Sequence, residues 1–424
     1  MSLKNFFQKG FLLILIFCLG IFVSGCVQEE PISSGEEEEI VNKKEATSNV
    51  IEANNQFAFD LYQKYQDQEE GNIFFSPYSI SSALAMTYEG ARSQTAQEMQ
   101  SVFHFPLSDN IRRTGYSNLY QEINKEGQEY ELSTANALWA EEEFDFLEEY
   151  FNLIEGYYYG KANNLSFKNN PEDSRLTIND WIEEQTKEKI KNLIPSGVIN
   201  SLTRLVLTNA IYFKGEWVQQ FDSEKTREEN FYVDEGRTIQ AEMMSQAGDE
   251  AEFNYFENEN LQVLEIPYSG EDLSMLVLLP RNKDLSSLEN SLSRENISLW
   301  RESLKEQRVD IYIPKFRFET KYFMKGDLMD MGMPTAFSGN ADFSGMTGEG
   351  NLFISEVIHQ AFVEVNEEGT EAAAATAVVM ELKSVGPGSA PPIFRADHPF
   401  IFIIQQKNSG NILFMGRVSE PIQE

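Results

Sequence analysis

Residues 366–392, NEEGTEAAAATAVVMELKSVGPGSAPP, carry local preferences that disagree. The acidic start, the alanines from Ala372 to Ala375 and a late lysine favour a helix, whereas Thr376, Val378 and Val379 favour a strand. Beyond Lys383 the glycines and prolines suit neither. Most sequences agree locally with the fold they adopt. A chain that keeps such a stretch near its C-terminus needs a fold that makes use of the conflict.

The surrounding chain is well able to fold. It has 424 residues, 41% hydrophobic and 12% aromatic, enough for one large domain or two ordinary ones. The formal charge of -34 argues against a nucleic-acid partner, because phosphate contacts need clustered positive charge. The two cysteines, Cys18 and Cys26, lie near the N-terminus, so the body has no disulfide framework and its stability comes from packing. With only His104, His359 and His398 as histidines, a Cys/His zinc site is not expected, nor is any other cofactor.

The N-terminus reads as an export signal. Lys4 and Lys9 precede the apolar run Phe11 to Val23, and Ser24, Gly25 and Cys26 follow. The run is shorter than the roughly 20 residues that span a bilayer. VSGC at its end resembles the lipobox of prokaryotic lipoproteins, which implies a signal peptide over 1–25 and a lipid anchor on Cys26, on the outer face of the cell membrane. An ordinary secretory signal and a retained spanning helix are the alternatives. Residues 26–48, acidic and without hydrophobic period, read as a flexible tether to a single domain over 49–421.

Within that domain Ser48 can cap a helix carrying Ile51, Phe57, Leu61, Tyr62 and Tyr65. Asn72 to Phe75 suggests a short strand and Ser76-Pro77 the start of another helix. Ile178, Trp181, Ile182 and Ile190 suggest a helix ending near Pro195. Leu205–Tyr212, Leu261–Ile266, Met275–Leu279 and Val309–Ile313 read as strands, and the apolar runs flanking Lys407 to Gly410 as a hairpin. Helices and strands in blocks indicate an α+β fold with antiparallel sheets.

Enzymatic motifs are missing from this pattern. There is no G-x-S-x-G elbow, phosphate-binding loop or H-E-x-x-H helix, and neither His104 nor His398 lies near a serine in a nucleophile's context. An unrecognised hydrolase stays as a rival, testable by turnover on casein or ester substrates.

Six stretches carry a family resemblance. EEGTEAAAATAVV resembles the hinge of inhibitory serpins, and FRADHPFIFII with ILFMGRVSEP resembles their C-terminal signature. NIFFSPYSISSALAM, LTNAIYFKGEWVQQFD and VIHQAFVEVNEEGTEA match in the same order, so the likeness spans roughly residues 49–421. The resemblance implies about nine helices around three largely antiparallel sheets, with an exposed reactive loop over about 367–393. It implies a suicide-substrate inhibitor of serine proteases, usually monomeric, whose cleaved loop inserts as a new strand into the large sheet. Strand addition and the release of stored strain are general devices of which serpin insertion is itself a standard example.

The residues suit that path. The hinge would be Glu367, Glu368, Gly369, Thr370, Glu371, Ala372, Ala373, Ala374, Ala375 and Thr376. As a strand, Thr370, Ala372, Ala374, Thr376 and Val378 share one face, all small or β-branched, while Glu371 points the other way. Gly369 supplies hinge freedom. A plain alanine-rich surface helix is the competing reading.

Ser76, Asn209 and His359 match the family's shutter, a polar cluster where the sheet must open, and Trp217 matches its tryptophan near the upper end of that opening. An ordinary hydrogen-bonded core histidine and a large core residue are the plainer readings of His359 and Trp217. Counting along the hinge places the cleaved bond between Lys383 and Ser384, which implies a trypsin-like protease. A bond after Met380 or Leu382 would imply a chymotrypsin-, elastase- or subtilisin-like target. A serpin-fold protein that binds partners or chaperones without trapping proteases is the other alternative.

Overall fold

The computed structural model describes residues 42–421 apart from 126, 249, 250 and 371–389. The described chain forms three sheets and ten α-helices, in line with the α+β architecture expected. The seven-stranded sheet runs β1 (Ile73–Phe75), β17 (Ile412–Val418), β16 (Phe400–Gln406), β9 (Leu273–Pro280), β8 (Leu261–Pro267), β7 (Glu252–Glu257) and β10 (Lys305–Arg308). The four-stranded sheet runs β15 (Ile393–Arg395), β11 (Asp310–Pro314), β6 (Thr238–Gln246) and β5 (Arg227–Tyr232). The six-stranded sheet runs β12 (Phe316–Phe323), β13 (Ile354–Val365), β14 (Gly369–Thr370), β4 (Leu205–Glu216), β2 (Tyr130–Glu141) and β3 (Lys161–Leu165). Most pairings are antiparallel; β13 with β4, β2 with β3 and β11 with β15 are parallel.

The helices are α1 (Lys43–Gln68), α2 (Pro77–Gly90), α3 (Ser93–Phe103), α4 (Asp109–Ile123), α5 (Glu148–Leu153), α6 (Pro171–Gln185), α7 (Leu285–Glu289), α8 (Arg294–Ser303), α9 (Lys325–Met331) and α10 (Ser344–Thr347). A large apolar core joins α1 and α2 to the seven-stranded sheet and one face of the six-stranded sheet. A smaller core lies on the other face of the six-stranded sheet, where Ile178 and Ile182 of α6 meet Trp139, Val206 and Ile358.

Two expectations are corrected. The first helix begins at Lys43, not after Ser48, so residues 43–48 belong to the folded body and not to the tether. Asn42 caps it by accepting from Lys44 N at 3.0 Å, and Ala46 and Thr47 are buried. The reason is a close helix crossing: a Cβ on Gly115 of α4 would stand 2.5 Å from Ala46 O. The helix around Ile178 ends at Gln185 and does not reach Ile190. Lys187 and Glu188 turn left-handed at φ 52° and 60°. The following chain is tied back by Asn179, which exchanges bonds with Ile194 N at 2.9 Å and Ile194 O at 3.0 Å.

The strands expected at 72–75, 205–212, 261–266, 275–279 and 309–313, the helix entry at Ser76-Pro77 and the C-terminal hairpin fall where the pattern put them, to within a few residues. Ser76 caps α2 through Ser79 N at 3.1 Å, with Pro77 in the first turn where its missing N–H costs nothing. Gly410, at φ 70°, closes the β16–β17 hairpin.

Candidate functional site: a seam in the six-stranded sheet and the hinge wedged into it

Strands β13 and β4 lie side by side in parallel from Ile354 opposite Leu205 to Ala361 opposite Ile211. Above that point they diverge, and β14 sits between them. Thr370 faces Val365 of β13 and Gly215 of β4, and Gly369 faces Glu216. The sheet is thus closed along most of the seam and opened at one end by the first residues of the hinge.

The wedge is held by several contacts. Thr370 is 1% exposed, and its hydroxyl lies 2.7 Å from the Tyr268 hydroxyl. Asn366 folds the preceding turn, its side chain accepting from Glu368 N at 3.0 Å and Gly369 N at 3.2 Å. Trp217 donates from its indole to Asn366 O at 3.0 Å and from its backbone to Glu368 O at 2.9 Å, while its ring stacks 4.6 Å from Tyr268. Phe221 N donates to Glu367 O at 2.8 Å. The Glu367 carboxylate accepts from the Thr226 hydroxyl at 2.8 Å and pairs with Lys315 at 3.4 Å. Partial burial works to raise the Glu367 carboxyl, but the Thr226 bond and Lys315 outweigh it and hold it below the ordinary carboxylate range. Gly369 is needed here for closeness more than for freedom, since a Cβ would meet Gly215 O at 2.0 Å.

Lower in the seam His359 of β13 faces Asn209 of β4. The ring is fully buried, and its Nε2 lies 3.1 Å from Ser76 N. A backbone N–H only donates, so Nε2 is unprotonated and the proton sits on Nδ1, which donates to Asn209 Oδ1 at 2.5 Å. Burial pushes the His359 pKa down to about 3. Asn209 Nδ2 donates onward to Ser79 Oγ at 2.6 Å and to Asn136 Oδ1 on β2. Ser76 Oγ donates to Leu413 O at 2.6 Å, linking the cluster to β17. One polar network therefore spans β2, β4, β13 and the start of α2.

The structure brings Ser76, Asn209 and His359 together and sets Trp217 against the hinge. Sequence reasoning missed Ser79, Asn136, Tyr268, Thr226 and Lys315. Only their place beside motif residues could have signalled them, since serine, threonine and lysine are common everywhere. Glu371 to Thr376, the Lys383–Ser384 bond and Cys26 lie outside the described residues. The other histidines are engaged locally: His104 with Asp60 at 2.7 Å, and His398 with Asp397 and Pro280 O, both at 2.7 Å. Among the described residues no group of three or more His, Cys, Asp or Glu is placed to hold a metal ion, and no helix is long and apolar enough to cross a membrane.

Such a divided sheet, with the root of a long connection wedged between its halves, belongs to a class of strand-accepting folds. Comparison with known proteins identifies it. The family described as Serpin (serine protease inhibitor) matches residues 52–421. Human Serpin B3 is 45% identical over 398 residues, covering 88% of this chain and all of that protein. An uncharacterized serpin-like protein of Thermococcus kodakarensis is also 45% identical, covering 88% of this chain and 86% of its own length. Bovine leukocyte elastase inhibitor is 43% identical over 87% of this chain and 98% of its own. Among solved structures, a highly specific serpin of the insect Tenebrio molitor aligns with a TM-score of 0.79 at 34% identity, over 88% of this chain and 98% of that one. This chain belongs to the serpin family.

Proposed function

We propose that the protein is an irreversible suicide-substrate inhibitor of serine proteases, of the trypsin-like kind, and not a turnover enzyme. The observation that carries this is the wedge: Gly369 and Thr370 already occupy the gap between β13 and β4, antiparallel to both. The protease serine would attack the Lys383 carbonyl, forming an ester as the bond to Ser384 breaks and the new amine takes the proton. The freed strand would then continue the register that β14 begins, carrying the acyl-enzyme with it.

That register makes chemical sense. Counting on from Thr370 opposite Gly215 and Val365 puts residue 376 opposite both Asn209 and His359, on the face those side chains share. Thr376 would bring a hydroxyl to the network just as β13 and β4 part. Insertion gives up one ladder and forms two. At about 1 kcal/mol net per bond, a strand of about ten residues gains on the order of 10 kcal/mol before ordering costs. Ordinary domains total only about 5–15 kcal/mol, so the uncut form persists by a barrier.

The name of the bovine relative, an elastase inhibitor, supports protease inhibition as the activity. Lys383 supports the trypsin-like preference, and the VSGC sequence supports a lipid anchor on Cys26 that holds a monomeric inhibitor outside the cell membrane. The test mixes the full chain, in detergent, with trypsin and examines the products on a denaturing gel. A covalent complex should appear with a released peptide running from Ser384 to Glu424. Cleavage that leaves trypsin fully active refutes inhibition.

A further inference from the structure

A polar recess has no part in the hinge or in the network of the seam. It lies where the end of α4 and the loop after it meet the start of β2, the β8–β9 turn and the turn of the β16–β17 hairpin. Its volume is about 260 Å³, below the roughly 300–1,000 Å³ of pockets that take drug-sized ligands, so an occupant is small. Glu122, Lys125, Tyr130, Asp272, Gln406 and Asn408 border it, and the Tyr130 ring is set among otherwise polar walls.

The fold holds these walls in place. Tyr130 donates from its hydroxyl to Ile123 O at 2.7 Å, and its ring lies 6.2 Å from that of Phe213. Burial first, and then the neighbouring Asp272 carboxylate, keep the Tyr130 hydroxyl protonated well above its ordinary range. Gln406 Oε1 accepts from Ser409 Oγ at 3.3 Å and from Asn411 Nδ2 at 3.1 Å, which fixes the hairpin turn, and Asp272 O accepts from Lys407 N at 2.9 Å. The charges are less well matched. Lys407 turns to Glu271 at 2.8 Å, and Glu122 accepts from Asn118 Nδ2 at 2.8 Å. Among the described residues neither Lys125 nor the Asp272 carboxylate has an ion-pair partner or a hydrogen bond. A lone surface charge is solvated and needs no partner. Here separate segments bring charges of both signs to one recess, where they do not neutralise each other. The complement is a molecule with the opposite set: one carboxylate for Lys125 and two cationic groups for Asp272 and Glu122. A free basic amino acid carries that set, and L-arginine adds a planar fork that suits a carboxylate.

We propose that this recess binds a free basic amino acid, its α-carboxylate on Lys125 and its α-ammonium and side-chain cation shared between Asp272 and Glu122. The inference stands apart from protease inhibition and from loop insertion. A ligand of about a dozen non-hydrogen atoms in a half-open polar site should bind with a dissociation constant of about 1 mM.

The test titrates L-arginine into the full-length protein in detergent, with no protease present, and follows binding by ligand-observed NMR. Saturable binding near about 1 mM is expected. Asp272→Asn and Lys125→Gln, both at exposed residues, should each weaken it about tenfold and leave the melting temperature unchanged. Analogues assign the charges. Agmatine, which lacks the carboxylate, and L-norleucine, which lacks the side-chain cation, should each bind the parent protein about tenfold more weakly than L-arginine. Lys125→Gln should bind agmatine as the parent does, because that ligand lacks the group Lys125 meets. No saturable binding of L-arginine up to about 10 mM overturns the site. Binding that both substitutions leave unchanged overturns it too, as does agmatine binding the parent as tightly as L-arginine.

Discussion

Acidification offers a sharp test of the seam. His359 is neutral in the folded protein because Nε2 must accept from Ser76 N, and its pKa is pushed down from 6.5 to about 3 by burial. Its neighbours, Ser76, Asn209 and the parallel Tyr322 ring at 6.4 Å, are uncharged, with burial raising the Tyr322 hydroxyl still further. The sign follows from proton uptake. Below pH 6.5 the unfolded chain binds a proton at this residue that the folded chain refuses, so stability is full above that pH and falls as pH drops towards 3. At pH 5 the loss is about 2 kcal/mol relative to pH 7.5, from the linkage relation at 25 °C. Many carboxylates titrate in the same range, so the quantity to measure is a difference. Urea unfolding followed by tryptophan fluorescence, for the parent protein and His359→Gln, isolates the imidazole. The parent should lose about 2 kcal/mol more than the variant between the two pH values. Parallel curves would refute the assignment of an unprotonated, buried Nε2.

Two further outcomes are expected. Thr370→Arg puts a charge at a residue that is 1% exposed and whose hydroxyl bonds Tyr268, at a burial cost of several kcal/mol, so trypsin should still cut while the covalent complex disappears from the gel. Thr376→Val keeps the shape and removes the hydroxyl that would meet Asn209 and His359; the gain in stability on nicking should shrink by about 1–3 kcal/mol, read by calorimetry of nicked and intact protein.

Much of the architecture was legible because its elements announce themselves locally. Ser76-Pro77 is a helix start by chemistry alone, and the run Phe400–Gln406 with Gly410 behind it has few other uses. The sequence puts the cap of the first helix at Ser48, six residues late, because its opening turn, Lys43 to Thr47, is largely polar and is justified by tertiary contacts with α4 at Gly115 and Asn118. Ile190 was drawn into a helix by its spacing, whereas Asn179 captures that stretch through a tertiary contact. The site shows the same division. His359, Asn209 and Ser76 were found through motifs, but the reason for them, a seam crossed by one hydrogen-bonded network, depends on pairing residues some 150 positions apart. Lys315 and Arg395 look like ordinary surface cations until the fold brings Glu367 and Glu229 to them.

The parallel pairing of β13 with β4 has a consequence of its own. Neither strand leads directly into the other, so no turn bridges the line between them at either end. On the proposed insertion, the sheet would act as two panels meeting at an expansion joint, widening by a strand's breadth without any loop joining β13 directly to β4. A single covalent stitch across that joint would fix the panels together and leave a cut loop with nowhere to go. The folded body contains no cysteine, both of the chain's thiols lying within its first 26 residues, so oxidation has nothing with which to sew it shut.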